Sequence, residues 1–282
     1  MIAVDRTGPL ALLQDLGRPG LAHLGVSPSG AADRAALRLA NRLVGNPEGA
    51  AAVECLLGGL SVTARAGSWV TVTGAPTTVL HNATPVGSHS AIRLAPGDTL
   101  AVRPPEQGLR NYLAVRGGFE GDRVLGSLST DVLSGLGAEP LRTGQLLRVG
   151  RTTEPLPGLD LVPPGRPRAC LELLPGPRRD WFTDDAWQTL LTTSWAVSSE
   201  SDRVAVRLDG AELRRSRTGE LPSEAMVRGA IQVPASGRPL IFGPDHPVTG
   251  GYPVIAVLTE RDADHAAQLR PGEPVRFSAA RR

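Results

Sequence analysis

Lysine is missing: among the 282 residues all 30 permanently cationic side chains are arginine. Without an ε-amine the chain can form no Schiff base, hold no pyridoxal phosphate, supply no phosphate-binding P-loop lysine and carry no biotin or lipoate of its own. No covalent cofactor is therefore expected on this chain. Long apolar runs are missing too. The longest are strand-sized, and residues 1–6 lack a basic region followed by an apolar stretch, so neither a signal peptide nor a membrane span is expected, and the expected location is cytoplasmic. Net charge is only +2, and the arginines are scattered without interleaved aromatics, so nothing asks for nucleic acid. Cys55 and Cys170 are the two cysteines; both sit in apolar contexts far apart, and buried thiols are expected rather than a bridge or a metal pair. The five histidines are dispersed, and no HExxH, paired CxxC, G-x-S-x-G or G-x-x-x-x-G-K-[ST] pattern occurs, so no metal site is expected.

Turn formers are abundant. Gly 33 and Pro 25 make about a fifth of the chain, which penalises long helices and suits many short strands. The length exceeds what one hydrophobic core commonly organises, so two domains are expected. Alternating or short apolar runs at 68–73, 91–102, 110–115, 169–174, 203–208, 230–233, 239–242, 253–258 and 274–277 read as strands. A phrase recurs three times, LAPGDTLAV (94–102), LRTGQLLRV (141–149) and LRPGEPVRF (269–277), each placing a glycine shortly before a strand. Either a shared hairpin or chance similarity in a glycine-rich chain would produce it. Helices are expected at 29–44 with a Ser29 cap, at 183–193 and at 259–269. Pro155, Pro157, Pro163, Pro164 and Pro167 mark 152–168 as a linker between domains at 1–151 and 169–282.

Three segments hold more polar and glycine detail than packing requires. In 14–46 the glycines keep a long loop close to something, and a helix start flanked by Arg18 and Asp33 reads either as an anion cradle or as a plain cap. In 219–240, Glu224 and Gln232 either face a pocket or, for the glutamate, form a solvated surface charge. In 242–257, Asp245 and His246 offer an acid/base pair, Thr249, Gly250 and Gly251 an N–H-lined concavity, and Tyr252 a phenol; a polar surface turn is the alternative.

The same segments carry a resemblance. QDLGRPG, GVSPSGAAD and LANRLVGN at the front, NYLAVRGGF and LGSLSTD in the middle, and SEAMVRGAIQVPASGRPLIF and DHPVTGGYPVIA at the end are similar to the family of KipA and the 5-oxoprolinase C subunit, the allophanate hydrolase subunit 2 type of biotin-dependent carboxyltransferase protein. Ala32 stands where that pattern has methionine, Ala225 where it has glycine, and Pro247-Val248 where it has Gln-Thr. The resemblance implies a mainly β protein of two cyclophilin-like β-barrel domains with a few short helices. It implies one component of a 5-oxoprolinase that works with B-like and A-like subunits, using ATP with Mg2+ at the level of the complex, to convert 5-oxo-L-proline to L-glutamate. Glu224, Asp245 and His246 would then be catalytic, with Arg18, Asp33, Gln232, Thr249, Gly250, Gly251 and Tyr252 holding the small-molecule substrate. Two other roles exist among related proteins: carboxyl transfer to urea from biotin on another domain, and antagonism of an inhibitor of a sporulation kinase.

Overall fold

The computed structural model describes residues 1–158, 161–163, 170–217 and 219–280. The protein is mainly β, as expected, with three α-helices among the described residues: α1 (Arg34–Leu43), α2 (Asp184–Thr192) and α3 (Glu260–Ala266). None is long and apolar enough to cross a membrane. The chain divides into two compact units, Met1–Arg18 with Ser29–Arg166, and Pro19–Pro28 with Pro167–Arg282. The grouping of Pro19–Pro28 with the later unit has no signature in hydrophobic periodicity. It is visible at Ser27, whose hydroxyl donates to the Pro244 carbonyl at 3.4 Å. The proline-rich segment at 152–168 lies partly outside the described residues.

The first unit holds a seven-stranded and a five-stranded sheet. One apolar core takes residues from both: Val4 and Val62 from the larger sheet, and Leu13, Val53, Val72 and Leu113 from the smaller. The strand Arg110–Val115 is buried at every position because the strands Ala52–Leu56 and Ser68–Gly74 pair with its two edges while α1 packs on it. That explains why its last four residues, Tyr112–Val115, are apolar without alternation. The second unit is a closed barrel of seven strands, Cys170–Pro175, Val254–Leu258, Ala230–Gln232, Leu240–Phe242, Ala205–Asp209, Trp195–Val197 and Pro274–Ala279, closed by parallel pairing of the last with the first. Closure removes exposed strand edges. Trp195 fills its interior and donates its indole N–H to the Leu190 carbonyl at 3.2 Å.

The recurrent glycine phrase is one device used three times. In each copy an N–H three residues on closes a turn, Asp98 to Ala95 at 3.1 Å, Gln145 to Arg142 at 3.1 Å and Glu273 to Arg270 at 3.0 Å. The third residue is a glycine at φ +90°, +85° or +83°, as a type II turn requires. That glycine's own N–H donates across to Ala64, Val4 or Val197. The fourth residue's side chain accepts from the first residue's N–H, at 2.8 Å for Asp98, 3.1 Å for Gln145 and 3.0 Å for Glu273. Two copies lie in the first unit and one in the second.

Two expectations need correction. Helix α1 starts at Arg34 with Asp33 as its cap, accepting from the Ala36 N–H at 2.9 Å, whereas Ser29 lies upstream in a left-handed conformation at φ +50°. Asp competes with Ser for the cap position, and Gly30 breaks the run between them. Cys170 is exposed rather than buried, because it begins its strand on the outward face of the barrel.

Substituting alanine for Gly97, Gly144 or Gly272 should cost about 1–2 kcal/mol each through backbone strain alone, because a Cβ there meets no atom within 4 Å. Three similar penalties in chemical denaturation check this. Burial pushes the Cys55 thiol up to about 12, so a thiol reagent should titrate one cysteine in the native protein and two in denaturant.

Candidate functional site

In the first unit the front motifs are held together by a buried carboxylate. Asp15 accepts from the Gly17 N–H at 2.7 Å, the Ser127 and Ser129 hydroxyls at 2.6 Å each, and the Leu128 N–H at 2.9 Å. This joins QDLGRPG to LGSLSTD, and the alternation of the two serines in SLS places both hydroxyls on the same oxygen. Arg18 is 2 % exposed and donates from Nε to the Val124 carbonyl at 3.3 Å and from Nη2 to the Ser129 carbonyl at 2.5 Å. Its Nη1 is buried without a hydrogen-bond partner among the described residues. The start of α1 is tied down similarly. The Ala32 N–H donates to Glu54 at 2.9 Å, and the Asp33 N–H donates to the Tyr112 hydroxyl at 2.7 Å, which itself donates to Glu54 at 2.8 Å. Burial, then the Glu54 charge, holds the Tyr112 phenol well above the usual range. With Ala36 bonded to Asp33 itself, three N–H groups around this helix start already have protein acceptors, as in the cap reading of the segment. Asn41 and Asn46 do comparable work for LANRLVGN. Asn46 donates to the Val115 carbonyl at 2.8 Å and accepts from the Gly117 N–H at 2.8 Å, binding that motif to NYLAVRGGF.

The second unit contains the other predicted residues. Asp245 is fully buried and meets Arg203 through two contacts, Nε to Oδ2 at 2.8 Å and Nη2 to Oδ1 at 3.0 Å. Its charge is thereby balanced. His246 is buried beside the Phe242 ring, with Nδ1 2.8 Å from the Pro247 carbonyl. A carbonyl can only accept, so Nδ1 carries the hydrogen and Nε2 is the basic nitrogen.

Glu224, Gln232, Thr249, Gly250 and Tyr252 come together. Glu224–Ala225 pairs with Thr249–Gly250 in a separate two-stranded ladder. Glu224 faces Arg178, which reaches both carboxylate oxygens from Nε at 2.8 and 3.0 Å and one of them from Nη2. That guanidinium holds the Glu224 carboxyl below its ordinary range. Gln232 donates from Nε2 to the Tyr252 carbonyl at 3.0 Å. Gly250 lets the two segments approach closely: a Cβ there would stand 2.7 Å from Gln232 Nε2 and would displace that amide. Neither Gly250 nor Gly251 has positive φ, so these two do not supply the alternating conformation of an N–H nest. The Tyr252 ring is 45 % exposed and lies 5.8 Å from the Arg215 guanidinium. The sequence reading missed Asp15, Glu54, Tyr112, Arg178, Arg203 and Arg215. The three arginines are partners of predicted residues, and the rule that a buried carboxylate needs a counter-charge could have led only to Arg203, the partner of buried Asp245.

Asp15→Asn should destabilise the protein by about 3 kcal/mol, because the new amide points N–H groups at existing donors. Urea denaturation of the pair checks this, and an unchanged midpoint would contradict the assigned network.

The family model for the carboxyltransferase domain, subdomain A and B, matches residues 24–279. The chain is 36% identical to the C subunit of 5-oxoprolinase from Escherichia coli (strain K12), over 98% of this chain and 90% of that protein. It is 33% identical to the protein of the same name from Haemophilus influenzae, over 95% and 88%. Urea amidolyase of Saccharomyces cerevisiae is 27% identical over 98% of this chain, which spans only 16% of that enzyme. Among solved structures, TTHA0988 superposes with TM-score 0.89 at 35% identity, covering 98% of this chain and 55% of that one, so this chain spans just over half its length. The Kluyveromyces lactis urea amidolyase superposes with TM-score 0.88 at 28% identity, covering 98% of this chain and 18% of that one. With motifs, fold and nearly the whole length in agreement, the chain belongs to the family of the carboxyltransferase domain, subdomain A and B.

Proposed function

We propose that this chain is the C subunit of an ATP-dependent 5-oxoprolinase, a cytoplasmic hydrolase that acts with B-like and A-like subunits to open 5-oxo-L-proline to L-glutamate. The observation that carries the reading is length. The chain matches proteins named as the C subunit of 5-oxoprolinase over nearly their whole extent, but only a sixth or so of urea amidolyase. Opening an unstrained lactam is slow because resonance protects the amide. Phosphorylating the lactam oxygen activates the ring carbon: one water adds there, the carbon–nitrogen bond breaks as the nitrogen takes a proton, and a second water hydrolyses the resulting acyl phosphate to glutamate and phosphate. ATP therefore belongs to the complex. Without lysine, this chain's share in holding phosphates falls to arginine and backbone N–H groups. Among the described residues no group of three or more His, Cys, Asp or Glu could hold a metal ion, so we assign no Mg2+ ligand set to this chain. The ion would arrive with the nucleotide, held largely by its phosphates.

Within this reading His246, through Nε2, moves a proton to or from the opening lactam, while Asp245 is fixed by Arg203. Glu224 supplies the remaining carboxylate. Gln232, Thr249, Gly250, Gly251 and Tyr252, all in the second unit, are the proposed contacts to the substrate. A second reading, carboxyl transfer to urea from biotin on a partner, is favoured by the superposition on urea amidolyase. Carboxylated biotin with urea as acceptor separates the two.

The lone chain should show no 5-oxoproline-dependent ATP hydrolysis, and the chain co-purified with B-like and A-like subunits should show it; full turnover by the lone chain would overturn its assignment to a multi-subunit enzyme. In that complex His246→Ala should lower turnover by about 10²-fold with unchanged circular dichroism, the range for loss of a general acid or base. An unaltered pH-rate profile would remove His246 from the mechanism.

A further inference from the structure

The Arg178–Glu224 pair differs from the other ion pairs around the predicted residues. Arg203 and Asp245 are 3% and 0% exposed, and such a pair is part of the packed interior. Arg178 and Glu224 are 37% and 23% exposed, so water and solutes reach both groups. Their supports are unequal. Arg178 is held through its backbone, whose N–H donates to the Val254 carbonyl at 3.1 Å on a strand of the closed barrel. Glu224 sits on a two-residue strand paired with Thr249–Gly250 outside the barrel, the pairing continuing through the Met226 N–H to the Val248 carbonyl at 2.9 Å. The side-chain pair itself is held by its own hydrogen bonds at a position that solvent reaches.

The surroundings are those of a small planar ligand. Gln232 is tethered through Nε2, and its Oε1 accepts no hydrogen bond from the described residues. Gly250 lies against that amide with no side chain between them. Tyr252 presents an exposed ring nearby, two residues beyond the strand that pairs with Glu224. Arg178 Nη1 also has no partner among the described residues, which gives an incoming anion a first contact before Glu224 leaves.

We propose that Arg178 is the receptor for the substrate's carboxylate and that Glu224 occupies that receptor until substrate displaces it, one carboxylate exchanging for another on the same guanidinium. The inference rests on the 5-oxoprolinase reading and deepens it, because 5-oxo-L-proline pairs one carboxylate with a flat lactam whose N–H suits the free Gln232 Oε1. Exchange makes chemical sense. An arginine neutralised by its own glutamate attracts an anion weakly, whereas the fork it offers Glu224 fits any carboxylate of the same geometry. Stored alone, the guanidinium would accept whatever anion was abundant.

The test uses the co-purified complex and calorimetric titration with 5-oxo-L-proline and with 2-pyrrolidinone, the same lactam without the carboxylate. Glu224→Gln should tighten 5-oxo-L-proline by about tenfold by removing the competing charge, and Arg178→Gln should weaken it by at least about tenfold, as loss of a bidentate charge-assisted contact does. Arg178→Lys should fall between, keeping the charge and losing the fork. Binding of 2-pyrrolidinone should be unaffected by any of the three. Equal 5-oxo-L-proline affinity in wild type and variants overturns the receptor and leaves the 5-oxoprolinase reading intact. If the wild-type complex binds no 5-oxo-L-proline, that reading falls. The receptor is then decided by nuclear magnetic resonance of the arginine Nε–H groups in the Glu224→Gln chain titrated with acetate. A shift that disappears in Glu224→Gln/Arg178→Gln supports the exchange site, and no such shift overturns it.

Discussion

A carboxylate taken out of water must be met by donors, and in this chain the satisfaction of buried acids decides where the loops go. Asp15 gathers two serine hydroxyls and two backbone N–H groups from segments more than a hundred residues apart. Glu54 fixes the start of α1 through Ala32 and Tyr112. Asp245 is buried with Arg203 as its counter-charge. Each acid is costly to bury alone and stabilising once surrounded, so each selects one arrangement of its neighbours. Without lysine, every permanently charged side-chain cation available for this work is a planar fork.

That constraint changes the meaning of the family motifs. QDLGRPG, LGSLSTD, LANRLVGN and NYLAVRGGF look like functional signatures because they are polar and rich in glycine. Much of their polarity is internal: Asp15 bonds to the serines of SLS, and Asn46 bridges Val115 and Gly117. The late motif divides differently. Asp245 belongs to the interior, while Glu224, Gln232 and Tyr252 surround a place that solvent reaches.

The strands were legible where alternation or β-branched runs had room to show, as at Ser68–Gly74, Arg110–Val115 and Val254–Leu258. Ile2–Thr7 and Ala52–Leu56 were not, since Asp5 and Glu54 interrupt their apolar character and the reason for each charge lies elsewhere in the chain. The repeated turn was legible as a phrase, because glycine at its third position is a local requirement. Its cross-strand and side-chain bonds were not, being set by neighbours far off in sequence. At the candidate site the carboxylates, the histidine and the glycines could be picked out one by one. The arginines that answer them could not, for among 30 similar residues nothing local marks which one meets which acid.

The ten residues Pro19–Pro28 leave the first unit, join the second and return. The backbone therefore passes between the units three times, after residues 18, 28 and 166. A nick in the proline-rich segment leaves Pro19–Pro28 on the N-terminal fragment, covalently apart from the rest of the unit it belongs to. A gene fragment beginning at 167 encodes all seven barrel strands without the ten residues grouped with them, and one ending at 151 carries those ten residues without the rest of their unit. The halves are one unit of inheritance as well as of synthesis: recombination that exchanged either of them would have to carry the ten-residue strap along.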